Sequence, residues 1–188
     1  MVAWLRGLLA AIAALTLGGT VMAADAENTL YMDVPFGRVV IEMRPDLAPN
    51  HCAQIKALAR RGFYDGVVFH RVIEGFMVQT GDPTGTGTGG SGHTLRSEFS
   101  SEKHVRGTAS MARASDPNSA DSQFFIMFAP TPSLDNQYTV WGQVSSGMEF
   151  IDKIKKGDPA RNGSVVNPDK IIKMQVAADA IKAGDKGK

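Results

Sequence analysis

Apolar and polar residues along this chain follow two periods, one of two residues and one near three and a half. The period-two runs come first. Thr29–Val34 and Arg38–Met43 flank Pro35-Phe36-Gly37 and predict a hairpin with a short loop. Val67–Ile73 and Phe76–Gln79, parted by Glu74-Gly75, predict two more strands. Further strand character lies in Gly107–Met111, in Ser122–Phe128, in Tyr138–Val144 and in Lys170–Ala180, where Ile172, Met174 and Val176 alternate. Helical spacing appears twice. Cys52, Ile55, Leu58 and Ala59 repeat within Asn50–Arg61, with Gly62 placed to end the helix. Met148, Ile151 and Ile154 repeat within Ser145–Lys156, with Ser146 as N-cap and Gly157 at the end. Eight strand-like runs and two short helices in one domain predict a barrel or a sandwich. No internal repeat is present.

The segment Val67–Asp82 carries the one awkward position. Strict alternation puts Phe69, Arg71 and Ile73 on one face and Val68, His70 and Val72 on the other. Arg71 then shares a face with two large apolar side chains. An arginine there either snorkels to water from an edge strand or has partners that define a site.

Residues 1–24 stand apart from these patterns. Arg6 is their only charge, the middle is Leu, Ala, Ile and Gly, and Val21-Met22-Ala23-Ala24 offers small residues for cleavage. This reads as a secretory signal peptide, with cleavage after Ala23 or Ala24. The apolar run falls short of the ~20 residues a spanning helix needs, which argues against a retained anchor. The expected organisation is signal peptide 1–24, one domain over 25–180 and a flexible tail over 181–188. Removing Arg6 leaves 19 basic against 19 acidic side chains. That balance argues against nucleic acid and anionic membranes as partners. Cys52 is the only cysteine, so an exported domain must be stable from its core without an internal disulfide. A bacterial periplasm suits it best. Cys52 itself is expected to be a small buried hydrophobe.

Several chemistries find no support. His51, His70, His93 and His104 have no metal-ligand spacing, so neither metal nor cofactor is expected. Gly85, Gly87 and Gly90 satisfy G-x-G-x-x-G, but Ser91-Gly92-His93-Thr94 cannot start the helix a dinucleotide site requires. Gly-x-Ser-x-Gly is absent, and nothing ties His70 to Ser110 or Ser122 as a base. No pair of acids is placed for glycosidic work. An apolar surface studded with Arg, Gln and Met remains. It suits a peptide-binding site or a reaction that breaks no bond.

At this point the residues carry a likeness. Phe69-His70-Arg71-Val72-Ile73, Gly75-Phe76-Met77-Val78-Gln79 and Gly81-Asp82 resemble the signature of cyclophilin-type peptidyl-prolyl isomerases. Gly87–Gly90, Ser110-Met111-Ala112, Ser122–Ile126 and Leu134-Asp135 agree in order and spacing, so the likeness runs from about Thr29 to Val176. It implies a closed eight-stranded antiparallel barrel capped by two helices. It also implies roles. Arg71 would direct its guanidinium at the prolyl amide, braced by Gln79. Phe76, Met77, Phe125 and Leu134 would line the proline pocket. The backbone at Ala112–Arg113 and the side chain of Gln123 would hold the extended peptide. The implied partners are proline-containing unfolded or extended polypeptides, met by a monomer.

Three positions depart from the familiar eukaryotic pattern. Ser133 replaces a tryptophan that grips cyclosporin, Tyr138 replaces a pocket histidine, and Arg113 replaces an asparagine beside the groove. The pocket floor is kept, which favours isomerase activity with weak cyclosporin binding. The alternative is a chaperone or adaptor that holds proline segments and turns them over incidentally.

Overall fold

The computed structural model describes residues 26–184, so the segment read as a signal peptide and the last four residues lie outside it. Eight strands form a single antiparallel sheet. In chain order they are β1 (Thr29–Val34), β2 (Gly37–Met43), β3 (Arg71–Ile73), β4 (Met77–Thr80), β5 (Thr108–Met111), β6 (Phe124–Met127), β7 (Val140–Ser146) and β8 (Lys173–Val176). Across the sheet they run β3-β4-β6-β5-β7-β2-β1-β8. The helices described in full are α1 (Pro49–Arg60), α2 (Met148–Ile151) and α3 (Ala177–Lys182).

The sheet curls into a half-barrel that stays open, against the expected closure. Its two edges, β3 and β8, do not share a ladder. Residues before each edge strand meet at one isolated bridge, Val68 to Lys170, with Phe69 N–H donating to Asp169 O at 2.9 Å and Ile171 N–H to Val67 O at 2.9 Å. The ladder leaves register past this point, where Asn167 is left-handed, φ 51°, and Arg71 bridges Ser164 instead.

That irregularity also changes the strand read as Val67–Ile73, which is regular only from Arg71. Phe69 and Val72 enter the main core, whereas Ile73 turns with Arg71 toward the other side of the sheet. Phe69 and Arg71 therefore do not share a face.

The second predicted helix is also shorter than expected. β7 continues through Ser145 and Ser146, and α2 covers only Met148–Ile151, with Gly147 as its N-cap at φ 91°. The chain passes so close to β2 there that a Cβ on Gly147 would lie 2.5 Å from Arg38 O. A left-handed glycine thus reverses the chain where a serine cap was expected. Downstream, the run read as Lys170–Ala180 is a four-residue strand followed by α3, which passes the expected domain boundary at 180.

The main core lies inside the curl and under α1. Phe124 meets Trp141 edge-on at 5.3 Å between centroids and Tyr64 at 5.7 Å, and the Tyr64 hydroxyl donates to Ser122 O at 3.0 Å. Ile55, Leu58 and Ala59 of α1 pack against it, and Pro49 begins that helix where a missing N–H costs nothing. Cys52 is buried beside them, its thiol donating to Trp141 O at 3.3 Å and its pKa pushed up to about 11 by burial. It behaves as the small hydrophobe expected. No helix among the described residues is long and apolar enough to cross a membrane.

Candidate active site

A second, smaller apolar cluster lies on the opposite face of β4 and β6. Met77, Phe125 and Met127 form it, with Ile73, Phe76, Ala112, Leu134 and Tyr138 packed around. Period-two alternation creates this division, sending Val78, Phe124 and Ile126 to the main core and their chain neighbours to the other side. The strand register then sets the chemistry in a row. Arg71 pairs with Gln79, Gln79 with Phe125, and Phe125 with Ser110. Cross-strand neighbours stand ~5 Å apart, so four strands deliver a guanidinium, an amide, a ring and a hydroxyl in line.

A side-chain-sized cavity of about 110 Å³ opens here, lined by Arg71, Phe76, Met77, Gln79, Ala112, Arg113, Phe125, Leu134 and Tyr138. Of the residues singled out from the sequence, only Gln123 is absent from this lining. It borders an adjoining cavity of about 460 Å³ that shares Gln79, Ala112 and Arg113 with the first. The short 3-10 turn Pro132–Leu134 supplies Leu134 to the rim.

Arg71 is half-buried and held from two sides. One terminal nitrogen (Nη1) donates to Gln79 Oε1 at 3.1 Å and lies 3.9 Å from Met77 Sδ. The opposite side is gripped by Asn162, whose carbonyl accepts from Nε at 3.0 Å and whose Oδ1 accepts from Nη2 at 2.9 Å. Five N–H donors belong to a guanidinium, and these contacts engage four. At least one is left unengaged by these contacts, and the Arg71 side chain lines the cavity. Burial pulls the Arg71 pKa down, with the nearby Tyr138 acting against it. An arginine still stays protonated in water.

Asn162 escaped the sequence reading. It lies 91 positions from Arg71, in a loop laid along the free edge of β3. Val72 N–H donates to Gly163 O at 2.8 Å, Gly157 N–H to Val72 O at 2.9 Å and Val165 N–H to His70 O at 3.1 Å. The approach is so close that a Cβ on Gly163 would collide with the Ile73 side chain. The available signal was Arg161-Asn162-Gly163 in the segment read as loop. Asn162 is left-handed, φ 53°, a conformation asparagine and glycine tolerate.

A second arrangement was also missed. Ser110 has a histidine partner, but it is His104 and not His70. His104 Nε2 lies 3.0 Å from Ser110 Oγ, and its Nδ1 lies 3.2 Å from Asp135 Oδ1. These are the spacings of a nucleophile, its base and an orienting acid. Ser110 has no exposed surface, however, and also lies 2.9 Å from Thr139 O, so no acyl carbon can reach it. The trio instead supports the cavity's aromatic wall. The His104 ring stacks against Phe125 at 6.2 Å and meets Tyr138 edge-on at 6.4 Å. Burial holds the imidazole below its ordinary pKa, against the pull of Asp135.

Arg113 and Tyr138, two of the departures from the familiar pattern, meet each other. The Arg113 guanidinium lies over the Tyr138 ring at 4.6 Å and donates to Gln137 O at 3.2 Å and Ala114 O at 2.9 Å. This ties the loop after β5 to the turn that carries Leu134. His70 is buried, and neither ring nitrogen lies within good hydrogen-bond geometry of a partner among the described residues. Burial lowers its pKa. Among the described residues, no group of three or more His, Cys, Asp or Glu side chains could hold a metal ion.

A cavity walled by apolar side chains and rimmed by the Arg71 and Arg113 guanidiniums and the Gln79 amide, with no nucleophile in reach among the described residues, suits a peptide binder or an enzyme that breaks no covalent bond. Comparison with known proteins resolves the class. The family model described as cyclophilin type peptidyl-prolyl cis-trans isomerase/CLD matches residues 29–176. A Brucella suis protein named probable peptidyl-prolyl cis-trans isomerase is 55% identical over 94% of this chain and 98% of its own length. Peptidyl-prolyl cis-trans isomerase ppi1 of Schizosaccharomyces pombe is 42% identical over 76% of this chain and 94% of its own. Among solved structures, a Cryptosporidium parvum cyclophilin-type isomerase, crystallised in the presence of the dipeptide Ala-Pro, is 30% identical with a TM-score of 0.72. The match covers 79% of this chain and 98% of that one. A Hirschia baltica cyclophilin is 28% identical with a TM-score of 0.74, over 82% of this chain and 76% of that one.

The chain belongs to the cyclophilin-type peptidyl-prolyl cis-trans isomerase family. Its activity is the cis-trans isomerisation of peptidyl-prolyl bonds.

Proposed function

We propose that Arg71 is the catalytic residue and that rotation occurs with the proline ring held in the cavity floored by Met77 and Phe125. The amide C–N bond resists rotation because nitrogen shares its lone pair with the carbonyl, a barrier of ~18–20 kcal/mol. At the upper figure the uncatalysed rate is on the order of 0.01 per second, and a thousand turnovers per second requires a barrier lower by roughly 7 kcal/mol. In the rotated state the nitrogen becomes pyramidal and its lone pair localises. A guanidinium donor then gains an acceptor that the planar amide lacks, so it binds the transition state better than the ground state. One charge-assisted hydrogen bond supplies about 1.5–3 kcal/mol, so Arg71 does not suffice alone. The remainder comes from clamping the ring while the other side of the bond turns, and from excluding water that would solvate the planar, more dipolar amide.

The observation that carries this reading is the double grip on Arg71 by Gln79 and Asn162, which fixes its guanidinium in the cavity wall with one N–H donor unengaged. In this reading Phe76 and Leu134 close the ring's sides, Arg113 and Tyr138 the far rim. The backbone of Ala112–Arg113 and the Gln123 side chain hold the extended peptide. The substrates are proline-containing unfolded or extended chains, in keeping with the Ala-Pro present with the Cryptosporidium relative. The site of action is the periplasm, reached through residues 1–24. Cell fractionation that leaves the protein in the cytoplasm at full length would remove that part.

In a proline-peptide assay, Arg71→Ala is expected to lower kcat/KM roughly 10- to 150-fold, the equivalent of one charge-assisted hydrogen bond. Its circular dichroism should match wild type. Undiminished turnover in the folded variant would overturn the mechanism. The adjoining cavity of about 460 Å³ favours a second role, holding proline segments as a chaperone. Suppression of client aggregation that persists in Arg71→Ala would support it.

A further inference from the structure

We propose that Asp82 is a positioning residue for Arg71, acting through the glycine loop at 85–90 and a chain of two side-chain amides. The inference rests on the reading of Arg71 given above. The geometry begins at Asp82, which has no exposed surface. Its Oδ1 accepts from the Thr84 amide and hydroxyl, both at 2.7 Å. Its Oδ2 accepts from the amides of Gly87 at 2.6 Å and Gly89 at 3.1 Å. One carboxylate thus gathers the loop around itself. Burial opposes its charge, but the Thr84 hydroxyl and the amides of Gly89, Thr84 and Gly87 outweigh that and hold its pKa far below the usual carboxylate range. Asp82 is ionised wherever the protein is folded at ordinary pH.

The loop so fixed turns two carbonyls outward onto one amide. Gln123 Nε2 donates to Gly87 O at 3.0 Å and Gly89 O at 2.8 Å. Gln123 Oε1 in turn accepts from Gln79 Nε2 at 2.9 Å, and Gln79 Oε1 accepts from Arg71 at 3.1 Å. Both ends of this chain are unambiguous. A carbonyl can only accept and a guanidinium can only donate. Each glutamine between them therefore has one permitted orientation, although an isolated amide could sit either way round. Were the loop carbonyls to move, Gln123 and Gln79 could flip, and Gln79 would then present NH₂ to a guanidinium. Arg71 would lose its acceptor on the cavity side while keeping Asn162. A carboxylate that touches neither substrate nor Arg71 thereby decides which atom of Gln79 faces the catalytic group.

Asp82→Asn tests this, because an amide offers one acceptor oxygen where the carboxylate offers two, so either Thr84 or the Gly87 and Gly89 amides lose their acceptor. Steady-state kinetics on a proline peptide is read together with NMR of the Arg71 Nε–H and the Gln79 and Gln123 side-chain amides, with Arg71→Ala run in parallel. The expected result is a folded variant with kcat reduced about tenfold, the size of a weakened charged hydrogen bond, and KM nearly unchanged. The Gln79 and Gln123 amide signals should shift or broaden, while Arg71 Nε–H, which donates to Asn162, reports that this grip persists. A general loss of stability would not single out those signals, and it would lower kcat only in proportion to the unfolded fraction, which circular dichroism reports. Wild-type kcat with unshifted signals overturns the proposal. Should Asp82→Asn fail to fold, Thr84→Val removes one hydroxyl donor to Asp82 and is expected to give the same signature at about two- to threefold; wild-type values there overturn the proposal equally. If Arg71→Ala keeps full turnover, the reading of Arg71 fails by itself. In that case the amide signals of Asp82→Asn still decide the coupling, and unshifted signals overturn it.

Discussion

Strands β4 and β6 present two faces that burial cannot tell apart. Val78 and Phe124, on one side, are 1% and 0% exposed; Met77 and Phe125, on the other, are 1% and 5% exposed. Their neighbours differ. Phe124 is enclosed by Tyr64 and Trp141, in a setting of rings and aliphatic side chains. Phe125 stands in a row with Arg71, Gln79 and Ser110, backed by His104 and open at one side. An apolar side chain sealed by other apolar side chains contributes stability. One that borders fixed donors and an open cavity contributes selectivity for what enters. Adjacent residues in one short strand thus serve different ends, and the alternation of the pleat separates them.

The sharpest way to break that comparison is to truncate both rings. Phe124→Ala is expected to cost about 3–5 kcal/mol of stability, with kcat/KM per folded molecule nearly unchanged. Phe125→Ala should cost clearly less stability, because its site is already open. It should lower kcat/KM roughly tenfold or more, as the proline ring loses a burying surface of about 1.5–3 kcal/mol. Denaturant titration and the peptide assay on both variants decide the matter. Equal stability losses, or an activity loss in Phe124→Ala alone, would erase the distinction between the faces.

A smaller effect lies in pH. Burial holds His70 and His104 below the ordinary histidine value. As pH falls through about 6.5, the unfolded chain takes up protons that the folded one refuses. Their stabilisation is therefore complete above that pH and declines below it, by at most about 1.4 kcal/mol per pH unit for each. The depressed carboxylates Glu98, Asp82 and Asp135 behave differently, retaining their stabilisation until pH falls below about 4. Denaturation at pH 7.5, 6 and 5 should show the first decline, and His104→Gln should flatten it. A flat profile in wild type would refute the assignment.

The smallest effect separates backbone from side chain at Asn162. Asn162→Gly keeps the left-handed turn and the carbonyl to Arg71 but removes Oδ1, for a roughly two- to tenfold fall in kcat/KM. Asn162→Ala should add a strain of about 1–2 kcal/mol, visible in the melting temperature. Identical melting in the two variants would show that the turn carries no strain.

Much of this was readable along the chain. The hairpin of β1 and β2, helix α1 and the alternating runs of β4 and β6 follow from local periodicity, since each is specified within a few residues. The motif around Arg71 pointed to the family before any contact was known. Alternation does not hold at Phe69, because the strand is regular only from Arg71 and the backbone leaves the ladder before it. The helix expected at Ser145–Lys156 failed because Gly147 must pass close to Arg38, a contact with a residue more than a hundred positions away.

Sequence alone determined which residues could bury, which turns needed glycine or asparagine, and that an arginine stood among apolar neighbours without a local partner. The family likeness implied Gln79 as its brace, and tertiary structure supplied the second partner, Asn162. Gln79 follows Arg71 by eight residues, but Asn162 follows by 91 and His104 reaches Asp135 across 31. Contacts of that range depend on strand order, register and the point where the half-barrel stays open. No local pattern encodes them, because a hydrogen bond is specified by where two backbones meet, and periodicity records only which way each backbone faces.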